Sequence, residues 1–170
     1  MLIAHFPAGY LLAKGVSFGR RPGRVLFFGI VAGSILPDLD MVYFHLIDNG
    51  RTHHHAYISH WPIVWVLLIV LGFGFWAWGR YRATVVGKRE AVATAMAGLG
   101  IGGLLHMLLD TVAAPLMWLA PFSAQWFEIV SVPPRHSNWV FSFVLHWTFV
   151  LELAICLGAL LVFFRSRKED

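Results

Sequence analysis

The sequence predicts an all-α integral membrane protein: a helical bundle of about five apolar segments, with a polar site at the end that faces away from the cytoplasm. Three observations carry that prediction. Hydrophobic residues make up 58% of the 170 residues and charged ones only 13%, with a mean hydropathy of +0.69, whereas about a quarter of the residues in a soluble domain are charged. The apolar residues fall in long uninterrupted runs, with none of the alternating ten-residue strands of a β-barrel. Finally, the basic residues and the histidines separate along the chain. The length suits one domain over residues 1–170, with no linker or low-complexity stretch.

Taken in order, the segments are Leu2 to Ala13, Val25 to Leu36, Ile63 to Gly79, Ala91 to Leu109 and Val140 to Phe164. A span needs about 20 residues, with about 17 the lower end. Two of the five are long enough to span unaided, Ile63 to Gly79 has the seventeen residues of the lower end, and the first two must be extended by their flanks, tilted or only partly inserted. Met1 to Ala13 contains His5 and Pro7 and leads into Lys14. Without a basic start or a small-residue cleavage site, it reads as part of the mature chain rather than a signal peptide. Gly29 with Gly33, and Gly98 with Gly102, are small-xxx-small pairs that let segments two and four approach closely. The G-x-G-x-x-G pattern at Gly98 to Gly103 lies inside an apolar run with no strand before it, so it reads as packing rather than a nucleotide loop. Cys156, the only cysteine, lies in an apolar run and reads as a small core residue.

Charge supplies the orientation. Lys14, Arg20, Arg21 and Arg24 lie between segments one and two; Arg80, Arg82, Lys88 and Arg89 between three and four; and Arg165, Arg167 and Lys168 after five. These are eleven of the 13 basic residues. If every segment crosses, they share one side, which the positive-inside rule makes cytoplasmic, together with the C-terminus. The net charge of +4 is thus a topology signal and gives no reason to expect nucleic acid.

All nine histidines fall on the opposite, outer half. His5 opens segment one. His45, His53, His54, His55 and His60 share the first outer loop with Asp38 and Asp40; His106 and Asp110 close segment four; His136 is in the second outer loop; and His146 lies near the start of segment five. On a helix, positions i and i+4 share a face, so His106 and Asp110 form a two-toothed metal clamp. Ionisable groups at bilayer depth cost roughly 2.5–3.5 kcal/mol each unless they face a partner or a cavity, so the pair reads as functional. Asp38 and Asp40, two apart after an apolar run, suit either helix capping or a divalent cation. The sequence does not distinguish which of the two is a ligand. His54, His55 and His60 are metal candidates beside these; His45 and His136 are supporting candidates. Glu152 in segment five reads first as a buried interhelical polar partner and second as a site residue. With Trp61, Trp118, Trp126 and Trp139 as the outer interface belt, the cluster lies at headgroup level. That depth favours a lipid headgroup over a soluble metabolite.

These residues resemble a known family, the YdjM-like membrane-bound metal-dependent hydrolases of bacterial inner membranes. The resemblance is carried by His5-Phe-Pro-Ala-Gly-Tyr10, Leu36-Pro-Asp-Leu-Asp40, His54-His55 followed by Ser59-His60-Trp61-Pro62, His106-Met-Leu-Leu-Asp110, Pro121-Phe122-Ser123 and His146-Trp-Thr. The family is distantly similar to zinc-dependent phospholipase C and the S1/P1 nucleases. That likeness implies ligand roles for His5, one of Asp38 or Asp40, one or both of His54 and His55, His106, Asp110 and His146. Two departures stand out: Val150 occupies the position where the phospholipase pattern has a late glutamate ligand, and Ala56 replaces a more typical basic residue. One or two ions are therefore expected rather than three.

The expected activity is metal-assisted hydrolysis of a phosphoester on a membrane lipid. Histidine and carboxylate donors suit zinc, with manganese or iron open to the same set. Whichever of Asp38 and Asp40 is not a ligand would orient the water or act as base. Two other readings share these residues: a haem protein with His106 and His146 as axial ligands, and a non-catalytic metal carrier. Substrate and oligomeric state are not encoded in any motif found here.

Overall fold

The computed structural model describes residues 1–16, 23–81 and 87–168. It is all-helical, with seven α-helices among the described residues: α1 (His5–Gly15), α2 (Arg24–Gly33), α3 (Asp40–Tyr43), α4 (Pro62–Tyr81), α5 (Lys88–Thr111), α6 (Trp139–Val144) and α7 (Thr148–Ser166). Single 3-10 turns and one π-helical turn fill the first outer loop. The only strand-like contact described is an isolated bridge between Leu116 and Phe127.

Three helices are long and apolar enough to span a membrane, namely α4, α5 and α7. A fourth candidate is α2 together with the run Leu36–Asp48, which turns from it by 52°. Pro37 explains the bend: it has no N–H to give to the Gly33 carbonyl, so the α-helical ladder stops and a 3-10 turn begins. The fifth segment of the sequence reading is also interrupted. It forms α6 and α7 with a turn at 145–147 between them. At 11 residues, α1 is too short to span by itself, so five apolar segments yield three or four helices of spanning length.

Helix α5 is the central element, packed most extensively against α4 and α2. Glycines make that proximity possible. A Cβ on Gly29 would meet the Gly98 Cα at 3.2 Å, and one on Gly102 would fall 2.1 Å from the Ile30 carbonyl oxygen. These are the pairs that the sequence spacing singles out, and they align α2 parallel to α5. On the other face of α5, Gly103 receives the Trp65 ring, and a Cβ on Gly72 would reach Ala97 N at 2.7 Å, so α4 runs antiparallel to α5. Helix α1 packs on α2 and α7. Its Gly9 lies against Ser34.

With these directions, His5, Pro37, Pro62, His106 and Thr148 lie at one end of the bundle. The helix ends bearing Lys14, Arg24, Arg80, Lys88 and Arg165 lie at the other. The separation of basic residues from histidines is thus a property of the fold. Arg20, Arg21 and Arg82 lie outside the described residues.

Replacing Gly102 with alanine is expected to lower stability by about 1–3 kcal/mol, the range for overpacking a close contact. Gly74→Ala, with nothing within 4 Å of the new methyl, should leave thermal unfolding in detergent unchanged or slightly improved.

Candidate metal centre

The site is assembled from four parts of the chain, each held by a local feature. The bend after Gly33 leaves the Ser34 carbonyl outside the helical ladder, since Asp38 N–H turns to Ile35 O instead. The His106 Nδ1–H donates to that carbonyl at 2.9 Å. The loop after α5 folds back through paired backbone bonds between Leu116 and Phe127. This turns the Pro115 carbonyl toward His55, whose Nδ1–H donates to it at 2.8 Å. The loop carrying His55 and His60 is fixed by two indoles: Trp61 Nε1–H donates to Ala56 O at 3.1 Å, and Trp65 Nε1–H to Ser59 O at 2.8 Å. The His60 Nδ1–H donates to Asp40 Oδ2 at 2.8 Å, and Ser59 Oγ–H donates to the same oxygen at 2.5 Å. Finally, the His5 Nδ1–H donates to Asp38 Oδ2 at 3.2 Å, with its ring stacked 3.7 Å from that of His106.

These bonds decide the tautomers. A carbonyl or carboxylate only accepts, so each Nδ1 carries the proton and each neutral ring presents Nε2 as a lone pair. The Nε2 atoms converge on two carboxylates. His106 Nε2 lies 2.9 Å from Asp110 Oδ2 and 3.5 Å from Asp38 Oδ1. His60 Nε2 is 3.8 Å from each of those oxygens, His55 Nε2 is 3.5 Å from Asp110 Oδ2, and His5 Nε2 is 3.1 Å from Asp110 Oδ1. The Met1 amine also donates to Asp110 Oδ1.

Lone pair facing lone pair at such distances is repulsive unless a proton or a metal ion stands between them. The Nε2 atoms of His5, His60 and His106 and the Oδ2 of Asp110 are buried with no hydrogen-bond partner. Two donors held about 2.0–2.2 Å from a tetrahedral ion stand roughly 3.3–3.6 Å apart, within the spread of the Nε2–carboxylate distances. One donor atom each from Asp38, His60, His106 and Asp110 lies within 4.8 Å of the others, and so does a second set from His54, His55 and His60. The donor set, its orientation and its backing by carbonyls and a carboxylate fit a transition-metal ion. A buried His/Asp cluster able to hold a metal is therefore present, and the shared His60 joins its two halves.

Burial keeps the loop imidazoles neutral. It pushes His54 down to about 4 and His55 down to about 3, and it lowers His53 as well. His54 and His55 therefore have no proton to lose before binding a metal at neutral pH.

The structure brings together His5, Asp38, His55, His60, His106 and Asp110, with His54 beside them, its ring centroid 4.1 Å from that of His55. It separates the two aspartates that the sequence leaves equivalent. Asp38 faces the converging Nε2 atoms, while Asp40 lies behind His60 and orients its ring. His146 joins neither set of donors. The break in segment five puts it at the turn before α7, where its Nδ1 pairs with Thr148 Oγ1 at 2.9 Å. The axial pairing of His106 with His146 is not formed, since His106 faces Asp110 and Asp38. His45 is exposed, and the His136 backbone N–H caps onto Ser142 Oγ. Sequence reasoning missed the Ser34 and Pro115 carbonyls, which carry no side-chain signal, and Ser59. A polar residue before His60 was the one hint available.

A cavity of about 730 Å³ opens onto the cluster. Its lining includes the polar Asp38, Asp110 and His53 to His55 and the apolar Met41, Phe44, Val132, Trp139 and Phe143.

Fold and site together define a helical membrane protein with a buried His/Asp centre at one end of its bundle. The chain belongs to the YdjM inner membrane protein family, whose family model matches residues 1–169, and this makes it an inner-membrane protein. No curated protein and no solved structure matches the chain.

Replacing His106 with alanine or Asp110 with asparagine should reduce bound metal in detergent-purified protein by more than the about 10- to 100-fold that outer-shell changes cost. Asp40→Ala should fall within that outer-shell range, and His146→Ala should keep the wild-type stoichiometry. Elemental mass spectrometry of the four variants checks the ranking.

Proposed function

We propose that the protein is a metal-dependent hydrolase that cleaves a phosphoester of a membrane lipid on the periplasmic side of the inner membrane. The observation that supports this reading best is the convergence of unpartnered Nε2 atoms on Asp38 and Asp110, two carboxylates that line a cavity with both polar and apolar walls. Zinc is the ion favoured by this donor set, with manganese and iron as the other candidates.

His106, His60 and Asp110 would hold the first ion, with His5 against Asp110; His54 and His55 would hold a second without His60, whose Nδ1 proton is held by Asp40 and whose one Nε2 lone pair serves one ion. Such an ion supplies a water acidified toward a pKa of about 7 and neutralises phosphate oxygens. Asp38 is the carboxylate left to orient the water and accept its proton. It is about a third exposed, at 34%, where Asp110 is only 2% exposed, and it lines the cavity. Asp40 acts through His60 by holding its Nδ1 proton, which keeps Nε2 available. Met41, Phe44, Trp139 and Phe143 offer an apolar wall for a chain attached to the phosphate.

The orientation follows from the basic helix ends, which face away from the cluster and mark the cytoplasmic side. The C-terminus would then be cytoplasmic. A cysteine placed at His45 should react with a membrane-impermeant maleimide in spheroplasts, and one placed at Lys168 only after lysis. The reverse pattern would remove the periplasmic assignment.

For the chemistry, phosphate release from lipid phosphomonoesters and headgroup release from phosphodiesters would be measured with metal-loaded protein in nanodiscs. Asp38→Asn should retain bound metal and lose turnover by at least about 100-fold, the lower end of the range that a general base contributes. A metal-loaded wild type inert on every lipid phosphate would leave a non-catalytic metal protein.

A further inference from the structure

Glu152 is the only acidic residue in α7 and is fully buried. Among the described residues no basic side chain is paired with it. Its carboxylate accepts from three successive backbone N–H groups: Leu2 at 2.9 and 3.0 Å, Ile3 at 2.6 Å and Ala4 at 3.1 Å. A helix cap would take the N–H of the second or third helical residue. These three donors precede α1, which begins at His5. Glu152 therefore holds the segment leading into α1.

The residue that follows is His5. Its ring has little freedom: it stacks on His106 at 3.7 Å, donates from Nδ1 to Asp38 and points Nε2 at Asp110. The backbone of residues 2–4 sets where that ring starts; Glu152 holds that backbone along its length, and the Met1 amine ties its start to Asp110.

We propose that Glu152 is a positioning residue of the metal centre, acting through the Leu2 to Ala4 backbone to aim His5 Nε2 at Asp110. This rests on reading the His/Asp cluster as a metal centre. It gives the buried carboxylate of α7 a role at the site without making it a ligand, and it ties an otherwise peripheral helix to the chemistry. Helix α7 packs chiefly on α1, so a displacement of α7 would be felt at His5.

The test uses the full chain in detergent with cobalt(II) as the probe, reading affinity and the visible absorption band. It also reads the imidazole signals of ¹⁵N-histidine-labelled, metal-free protein. Glu152→Ala should weaken cobalt binding about 10- to 100-fold, as outer-shell losses do, and shift the band of the residual complex. Glu152→Gln, which keeps one accepting oxygen, should recover part of both. In a His5→Ala background, Glu152→Ala should add no further loss. An equal loss in that background, or a lowered thermal midpoint with unchanged affinity and band, would overturn the proposal. Should Glu152→Ala not fold, Glu152→Gln carries the same comparison. If the wild type binds no divalent ion, the proposed function falls. Positioning is then decided by the metal-free spectra: His5 ring signals that move in Glu152→Gln support it, and unmoved signals overturn it.

Discussion

The distance between α2 and α5 sets the geometry of everything at the outer end. Gly33 and Gly102 meet with no side chain between them, and a Cβ on Gly33 would fall 2.2 Å from the Leu99 carbonyl oxygen. One residue beyond Gly33 is Ser34, and one turn beyond Gly102 is His106. The backbone approach of the glycines thus lets the freed Ser34 carbonyl reach the His106 ring. A methyl group in this seam would push the carbonyl away from Nδ1, and the ring would lose the bond that fixes its tautomer. Packing and chemistry are coupled here: the same close approach that lets two membrane helices associate also orients the central ligand.

A second constraint acts on charge. The cluster gathers four Nε2 lone pairs around two carboxylates in a largely buried space, and acceptors cannot satisfy one another. Either protons or metal ions must sit among them. The carbonyl and carboxylate partners of the Nδ1 atoms do not choose between these by themselves, but the arrangement around His60 is informative. Asp40 and Ser59 serve its far side, leaving Nε2 free toward Asp38 and Asp110. Such backing from behind is what a metal-bound histidine needs. The neighbouring His54 and His55 are held neutral by burial, so protons are poor competitors at that half of the centre.

Much of this was legible in the sequence because it depends on periodicity and topology. The i, i+4 spacing of His106 and Asp110 does put both on one face, and the paired glycines of segments two and four do meet. Helix direction alone carries His5, the Asp38 loop and the His55–His60 loop to the same end. What was illegible depends on where a helix stops. Asp38 and Asp40 look equivalent until Pro37 turns the chain into a 3-10 turn, which sends one carboxylate inward and the other behind His60. His146 looked like a ligand two turns down a continuous helix, but a turn at 145–147 directs it to Thr148 instead. Backbone carbonyls that hold a ring leave no trace in residue identity.

Glu152 shows how a single polar group can govern an apolar helix. The surface of α7 is mostly apolar, and such surfaces pack in lipid with little preference among rotations, since lipid tails are as apolar as leucine. A buried carboxylate removes that freedom, because it must find donors, and the backbone N–H groups of Leu2, Ile3 and Ala4 serve. The rotation and height of α7 relative to α1 are thereby fixed, and the contacts of Leu11 with Gly158 and of Tyr10 with Phe163 follow from that register. Placed elsewhere on α7, the same acid would have anchored the helix without reaching the segment before His5. Its position opposite residues 2–4 links the anchoring of the last helix to the aim of the first histidine.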